Sequence, residues 1–287
     1  MGGIILEKII KSRAKIIDNE LKYMVSANYL SNFMQKFDYL LSTLKRMSFI
    51  PRYCREELDY IELTNKGDKI KAIYIPMTCF CDIPLHQISV HSSSYGKYGI
   101  ALTKEWGVRK GLQTIHYVTP NTEYMNQFED SFNSIIDIVP NNSNEILDAL
   151  SDTLLDQLLY MKPITGNMSN KGKSNLIKKN FHDEHEWRYI PKINSKDLPF
   201  IFTDPMDGNY VVIENENQKL SQSMKQLNYT YLNFEVSDIK YIFVENEKDR
   251  DRLIKEISSF KGNRLKKIDK MLLISKIIVY SDFEEDI

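Results

Sequence analysis

Two strand-like runs packed around a single helical turn, between Gly99 and Val118, decide which folds this chain can join. Gly99-Ile-Ala-Leu-Thr103 is an apolar run of strand length. Residues 104–110 fit one short helix that Gly111 ends, and Thr114-Ile-His-Tyr-Val118 is a second strand closed by Thr119-Pro120. A parallel crossover needs a dozen or more residues, usually a full helix, between its strands. The interval here is too short, so a compact mixed or antiparallel sheet is expected.

Apolar periodicity supplies the other elements. Residues 4–24 predict a helix, with Ile5, Ile9, Ile16 and Met24 apolar and Lys and Glu filling the other face. Phe37, Leu40, Leu41 and Leu44 follow helical spacing to Met47, and Pro51 then starts an extended segment through Tyr53 and Cys54. Residues 122–162 are helical in pattern apart from Pro140-Asn-Asn-Ser143, and 218–227 and 250–260 predict further helices. Strands are expected at 28–33, 69–80, 184–190, 210–213, 239–244 and 272–280, with Pro76 confining the second of these to an edge or a bulge. Residues 163–176, rich in Lys, Asn, Ser and Gly, predict a loop, and 281–286 an acidic tail. The resulting expectation is an α+β fold: a twisted mixed or antiparallel sheet with surrounding helices, one domain over 26–287, and an N-terminal helical extension over 1–25.

A chain of 287 residues can bury a substantial core without disulfides or structural metal. Its 38 Lys and Arg against 39 Asp and Glu leave no global field drawing it to nucleic acid or to an anionic membrane. The three cysteines, Cys54, Cys79 and Cys81, make no disulfide framework, and a bridge across the one residue between the last two is strained. A reducing compartment is expected. The start, Met1-Gly-Gly-Ile-Ile-Leu-Glu7, has no basic head followed by a long apolar segment, and no run approaches about eighteen apolar residues. A cytoplasmic protein with no membrane span is the expectation.

The densest chemistry lies in Cys79-Phe-Cys-Asp-Ile-Pro-Leu-His86, followed by His91 and Tyr95-Gly-Lys-Tyr-Gly99. Cys79, Cys81, His86 and His91 are donor types that zinc accepts. On an extended chain, however, Cys-x-Cys points its sulfurs to opposite faces, so no metal is expected and the sulfurs are read as structural. Lys171-Gly-Lys-Ser174 lacks the upstream glycine and the preceding strand of a phosphate loop. Glu184 and Glu186 share one side of a strand, an arrangement that suits acid/base work or stabilisation of a cation. The alternative is an edge strand exposing Asp183, Glu184 and Glu186 with Trp187 in the core, and spacing alone favours it. His91, Tyr95 and Tyr98 suit stacking on a planar ligand, or two tyrosines capping the core beside turn glycines. Neither a Gly-x-Ser-x-Gly elbow nor a dinucleotide Gly-x-Gly-x-x-Gly is present.

These motifs resemble the AbiGi family of abortive-infection, phage-resistance proteins. Members carry Cys-Phe-x-Asp-Ile-Pro-Leu, a His, Tyr-Gly-x-Tyr-Gly-Ile, Lys-x-Trp before a Gly, and later Glu-x-Glu-Trp-Arg-Tyr-x-Pro. Here these are Cys79 to Leu85, His91, Tyr95 to Ile100, Lys104 to Trp106 with Gly111, and Glu184 to Pro191. Pro51-Arg-Tyr-Cys-x-Glu56 and the strand at 239–244 also fit, so the resemblance spans roughly 26–286. Where members carry Phe-His-Phe-Thr on the first strand, this chain has Ser31-Asn32-Phe33-Met34, and Asn cannot replace His as an acid or base.

The family is named as the antitoxin-like partner of a nucleotidyltransferase-like toxin. The same pattern is weakly similar to the ADP-ribosyltransferase superfamily, which implies NAD as cofactor. On that comparison Asn32 would hydrogen-bond the nicotinamide ribose or amide, Tyr95 or Tyr98 would stack on the ring, and His91 would position it. Glu186 would orient the ribose 2′-hydroxyl and stabilise the oxocarbenium-like charge, Glu184 would position the acceptor, nucleic acid or protein, and Arg188 would pair with a carboxylate. Two functions follow from the resemblance: an NAD-dependent effector centred on Glu186, or a non-catalytic antitoxin binding a toxin made from a neighbouring gene.

Overall fold

The computed structural model describes residues 26–65, 67–88, 95–142, 144–169, 176–203, 210–260 and 265–284. The helix expected over 4–24, His91 and Lys171-Gly-Lys-Ser174 lie outside the described residues.

A nine-stranded sheet organises the chain. Its strands are β1 (Tyr29–Met34), β2 (Arg52–Glu57), β3 (Ala72–Cys81), β4 (Tyr98–Thr103), β5 (Gln113–Thr114), β10 (Glu186–Tyr189), β11 (Phe202–Thr203), β12 (Ile239–Val244) and β13 (Ile277–Val279). The order is β13-β12-β4-β1-β3-β10-β5, with β2 and β11 pairing further along β3. Only β12 and β13 run parallel; every other pair in this sheet is antiparallel. Outside it, β6 (His116–Val118) pairs with β7 (Met161–Pro163), and β8 (Thr165–Ser169) pairs with β9 (Leu176–Asn180). The helices are α1 (Phe37–Arg46), α2 (Lys104–Arg109), α3 (Glu123–Asn142), α4 (Glu145–Leu159), α5 (Tyr210–Ser223), α6 (Glu247–Ser259) and α7 (Lys267–Ile274), with a last turn at Ser281–Glu284. This is the α+β class with a mixed sheet.

Strand β3 is the hub, buried along almost its whole length, as a strand covered on both faces must be. Pro76 does not confine it to an edge. Its registered partner is Tyr53 of β2, while β11 pairs at Ile73 and Tyr74 and β10 only from Thr78 onward. The residue without an N–H thus falls where the ladder on the second side is interrupted. Cys79 and Cys81 belong to this strand, and the loop expected at Cys79 begins at Asp82.

Register divides the sheet into two faces. Ser31, Cys81 and Glu186 lie opposite one another across β1, β3 and β10. Their neighbours Leu30, Phe80 and Trp187 therefore point the other way. Leu30 and Phe80 join Ile100, Leu102, Ile242 and Val244 in the largest core cluster, under Leu40, Leu41 and Leu44 of α1 and Leu253 and Ile257 of α6. The face carrying Ser31, Cys81 and Glu186 also carries Tyr29, Ala101 and Phe243 at one end. At its other end Ile73, Ile75 and Met77 lie beneath Met125, Phe128 and Phe132 of α3. Glu186 and Arg188 sit between these two clusters.

Four expectations need correction. Residues 210–213 open helix α5 rather than forming a strand; a β-branched run is a weak preference that context overrides. Helix α5 caps the strand β2 instead, where the Tyr53 N–H donates to Ser221 Oγ at 3.0 Å. The supposed loop at 163–176 supplies β8 and the start of β9, paired from Thr165 opposite Asn180 to Ser169 opposite Leu176. The strand expected at 272–280 is shorter, because α7 runs to Ile274. The strand at 114–118 changes partner midway: β5 pairs with β10, Ile115 N–H donates to Glu186 O at 3.1 Å, and β6 pairs with β7.

Candidate functional site

Six charged side chains from four strands and a turn meet on the face that holds Glu186. Glu184 is not on a strand: it ends the 3₁₀ turn His182–Glu184, and His185 then adopts φ 44° before β10 begins. This left-handed residue joins turn to strand, and both carboxylates turn inward to the same cation. Lys162 Nζ of β7 lies 3.3 Å from Glu184 Oε2 and 2.9 Å from Glu186 Oε2. Lys179 Nζ of β9 lies 2.5 Å from Glu184 Oε1, which also accepts the Tyr95 hydroxyl. Arg188 donates through Nε to Glu186 Oε1 at 2.7 Å, through Nη2 to Glu56 Oε2 at 2.8 Å, and through Nη1 to Leu159 O at 2.7 Å. The Glu186 N–H donates to the Tyr117 hydroxyl at 2.9 Å.

Three carboxylates therefore face three cations, and Glu184, Glu186 and Arg188 are buried. This overturns the exposed edge strand that spacing favoured. Burial by itself pushes both carboxyls up, but the cations outweigh it. Lys162 and Lys179, with hydrogen bonds from Lys179 and Tyr95, hold Glu184 below the usual carboxylate range. Arg188 and Lys162 hold Glu186 lower still. Burial pushes Lys162 down and the three carboxylates more than reverse it, so its ammonium titrates well above the ordinary value. Burial and Glu184 push the Tyr95 hydroxyl up, and burial lifts Tyr117 to about 12.

A consequence for acid stability follows. The folded-state pKa of Glu184 and Glu186 is depressed, so their contribution is fully present above the unfolded value of about 4.3 and is lost as pH falls through the folded values. The urea midpoint is expected to drop on acidification below about pH 4.3. Glu186→Gln, less stable at neutral pH, is expected to show a shallower drop. Parallel acid titrations of the two proteins would reject the assignment.

Beside the network, where β3 and β10 meet, lies a cleft of about 230 Å³ lined by Asp82, Lys104, Tyr117, His185, Glu186 and Trp187. A second buried ion pair stands there: Lys104 Nζ is 2.6 Å from Asp82 Oδ2 and donates to Ser26 Oγ at 2.8 Å. Asp82 Oδ1 and the Tyr29 hydroxyl are buried without a hydrogen-bond partner among the described residues. His185 places its imidazole at the cleft through a conformation costing an L-residue about 1–2 kcal/mol. His185→Gly is expected to hold or raise the melting temperature and His185→Val to lower it, which thermal unfolding of the two variants checks.

Of the residues singled out from sequence, the fold gathers Glu184, Glu186 and Tyr95. The Tyr95 ring is covered by Lys179, whose Nζ is 4.4 Å from its centroid, so that face is taken. Asn32 and Tyr98 are not gathered. Asn32 lies opposite Ile100 on the Leu30 face and donates through Nδ2 to Cys79 O at 2.8 Å. Tyr98 lies opposite Met34 on that same face and donates to Asp249 Oδ2 at 2.8 Å. The sheet separates both from Glu186, so Asn32 and Tyr98 do not share a site with it. Sequence reasoning missed Lys162 and Lys179, which carry no motif, and the Asp82–Lys104 pair, whose two residues stood in separate motifs. Cys79 and Cys81 share the network's face, and burial pushes both thiols up.

The family model described as "Putative abortive phage resistance protein AbiGi, antitoxin" matches residues 47–245. "Abortive phage resistance protein AbiGi" of Lactococcus lactis subsp. cremoris is 41% identical over 254 residues, covering 84% of this chain and 100% of that protein. The chain belongs to the AbiGi family. The AbiGi match encloses Glu56, Lys162, Lys179, Glu184, Glu186 and Arg188, as well as Asp82 and Lys104, whereas Asn32 precedes it. No solved structure matches the chain. Among the described residues no helix is long and apolar enough to cross a membrane.

Proposed function

We propose that this AbiGi chain acts in abortive phage defence as an antitoxin, a binding protein that neutralises a partner toxin, and that its charge network holds the scaffold rather than transferring a group. One observation carries this reading. Both oxygens of Glu186 are taken, by Arg188 and Lys162, and both of Glu184 by Lys162, Lys179 and Tyr95. A general acid or base works best with a pKa near the working pH, and these carboxylates are driven away from it. A carboxylate that must stabilise a passing cation also needs a free oxygen facing a ligand. The family description, which names an antitoxin, supports the same reading.

The test is co-expression with the product of the adjacent gene. That product alone is expected to arrest growth, and this chain to restore it and to co-purify with it. Glu186→Gln is expected to restore growth wherever it remains folded. Growth arrest by this chain alone, relieved by Glu186→Gln, would overturn the antitoxin reading.

A further inference from the structure

Helices α3 and α4 form a hairpin whose charge is unlike that of the rest of the chain. Residues 123–159 hold eight Asp and Glu and no Lys, Arg or His, in a chain of net charge −1 overall. Its inner half is anchored: Met125, Phe128, Phe132 and Ile135 of α3 and Leu158 and Leu159 of α4 are buried. Beyond them the hairpin projects. The only buried side chains of α4 are those last two leucines, and none of the described side chains over 136–153 is buried. Asn144 starts α4, its Oδ1 accepting the N–H groups of Ile146 and Leu147.

The projecting part carries two features a free surface helix does not need. Glu145, Asp148, Asp152 and Asp156 recur at three- and four-residue intervals, one exposed stripe of like charge that works against the helix itself. Among the described residues no ion pair reaches Asp130, Asp137, Glu145, Asp152 or Asp156. Next to the stripe, Ile146 and Leu150 of α4 and Ile138 in the last turns of α3 are exposed at the connected end, Ile146 at 79%. Exposed aliphatic side chains within a polar, solvent-accessible surround match the apolar core and polar rim of a protein interface.

We propose that this acidic hairpin is the surface that docks the partner toxin, and that the face it meets is rich in Lys and Arg around an apolar socket, the chemistry of a nucleic-acid-binding groove. Charge complementarity selects that occupant: a hairpin with eight acidic residues and no cation of its own repels nucleic acid and draws a basic protein surface, raising the association rate at low salt. The inference rests on the antitoxin reading above.

The experiment measures binding of the wild-type chain and of Glu145→Lys/Asp152→Lys/Asp156→Lys to the purified product of the adjacent gene, across salt concentrations. Hydrogen exchange on the complex accompanies it. These positions are exposed and Lys is a good helix former, so the variant's melting temperature is expected to match wild type; Ile146→Ser is a second probe without charge change. The expected result is wild-type binding that weakens with salt, at least about tenfold weaker in the triple variant, with new protection over 145–156. Equal binding by wild type and both variants, or protection confined to other segments, overturns the docking assignment and leaves the antitoxin reading standing. No binding by wild type overturns that reading and the docking assignment with it. Salt-dependent self-association of wild type, lost in the triple variant, assigns the hairpin to a second copy and overturns the partner named here.

Discussion

Arg188→Ala is expected to cost about 3–5 kcal/mol, a large share of the roughly 5–15 kcal/mol that holds an ordinary domain folded. Arg188 is fully buried and is the only described group joining Glu186, Glu56 and the end of α4 at Leu159. Among the described residues, removing it leaves Lys162 as the one cation acting on both Glu186 and Glu56, with a cavity where the guanidinium lay. Desolvated charges of this kind contribute little as an intact pair and cost much when one member is deleted. Urea unfolding at neutral pH checks the size, and the partner test checks the cause. Arg188→Met with Glu186→Gln and Glu56→Gln is expected to recover most of the loss. A single Arg188→Ala variant within about 0.5 kcal/mol of wild type would show that the network is not what holds β10, β2 and α4 together.

The second large effect belongs to the cleft. Lys104→Met is expected to cost about 3–5 kcal/mol, because among the described residues Asp82 would lose the cation paired with it, and its Oδ1 already lacks a hydrogen-bond partner there. Lys104→Met combined with Asp82→Asn should restore much of the stability, since the charge goes with its partner. Thermal unfolding of the single and double variants separates this from lost packing, as the methionine keeps most of the lysine's volume. A double variant as unstable as the single would remove the ion pair from the account.

Much of the sheet was legible because its strands are short, apolar and bounded by turn residues. Tyr29–Met34, Tyr98–Thr103 and Ile239–Val244 all lie within a residue or two of where periodicity put them. Misreadings came where local preference and context disagree. Val211-Val-Ile213 prefers a strand but opens a helix that continues through Glu, Asn, Gln and Lys. Residues 165–169 and 176–180 have no apolar alternation, so a hairpin held by backbone pairing left no trace in the sequence.

The site was half legible for a related reason. Glu184, Glu186 and Arg188 stand in one motif, and a carboxylate partner for Arg188 was expected. Their burial was not, because Lys162 and Lys179 reach them from segments that read as the end of a helix and the edge of a loop. Asn32 and Tyr98 look like companions of Glu186 only until register is known: Ser31 is level with Cys81 and Glu186, which puts the next residue, Asn32, on the opposite face. A left-handed His185 is likewise invisible in composition. The acidity of 123–159 could have been counted from the letters, but its projection from the core could not.

Binding and catalysis differ most plainly in stoichiometry. The most direct measurement titrates the purified chain against the isolated activity of its partner toxin, in the absence and presence of NAD. An antitoxin acting by occupancy predicts linear loss of activity that ends at equimolar chain, unchanged by NAD and retained by folded Glu186→Gln. Complete, progressive inactivation by a small substoichiometric amount, dependent on NAD and abolished in folded Glu186→Gln, would contradict it.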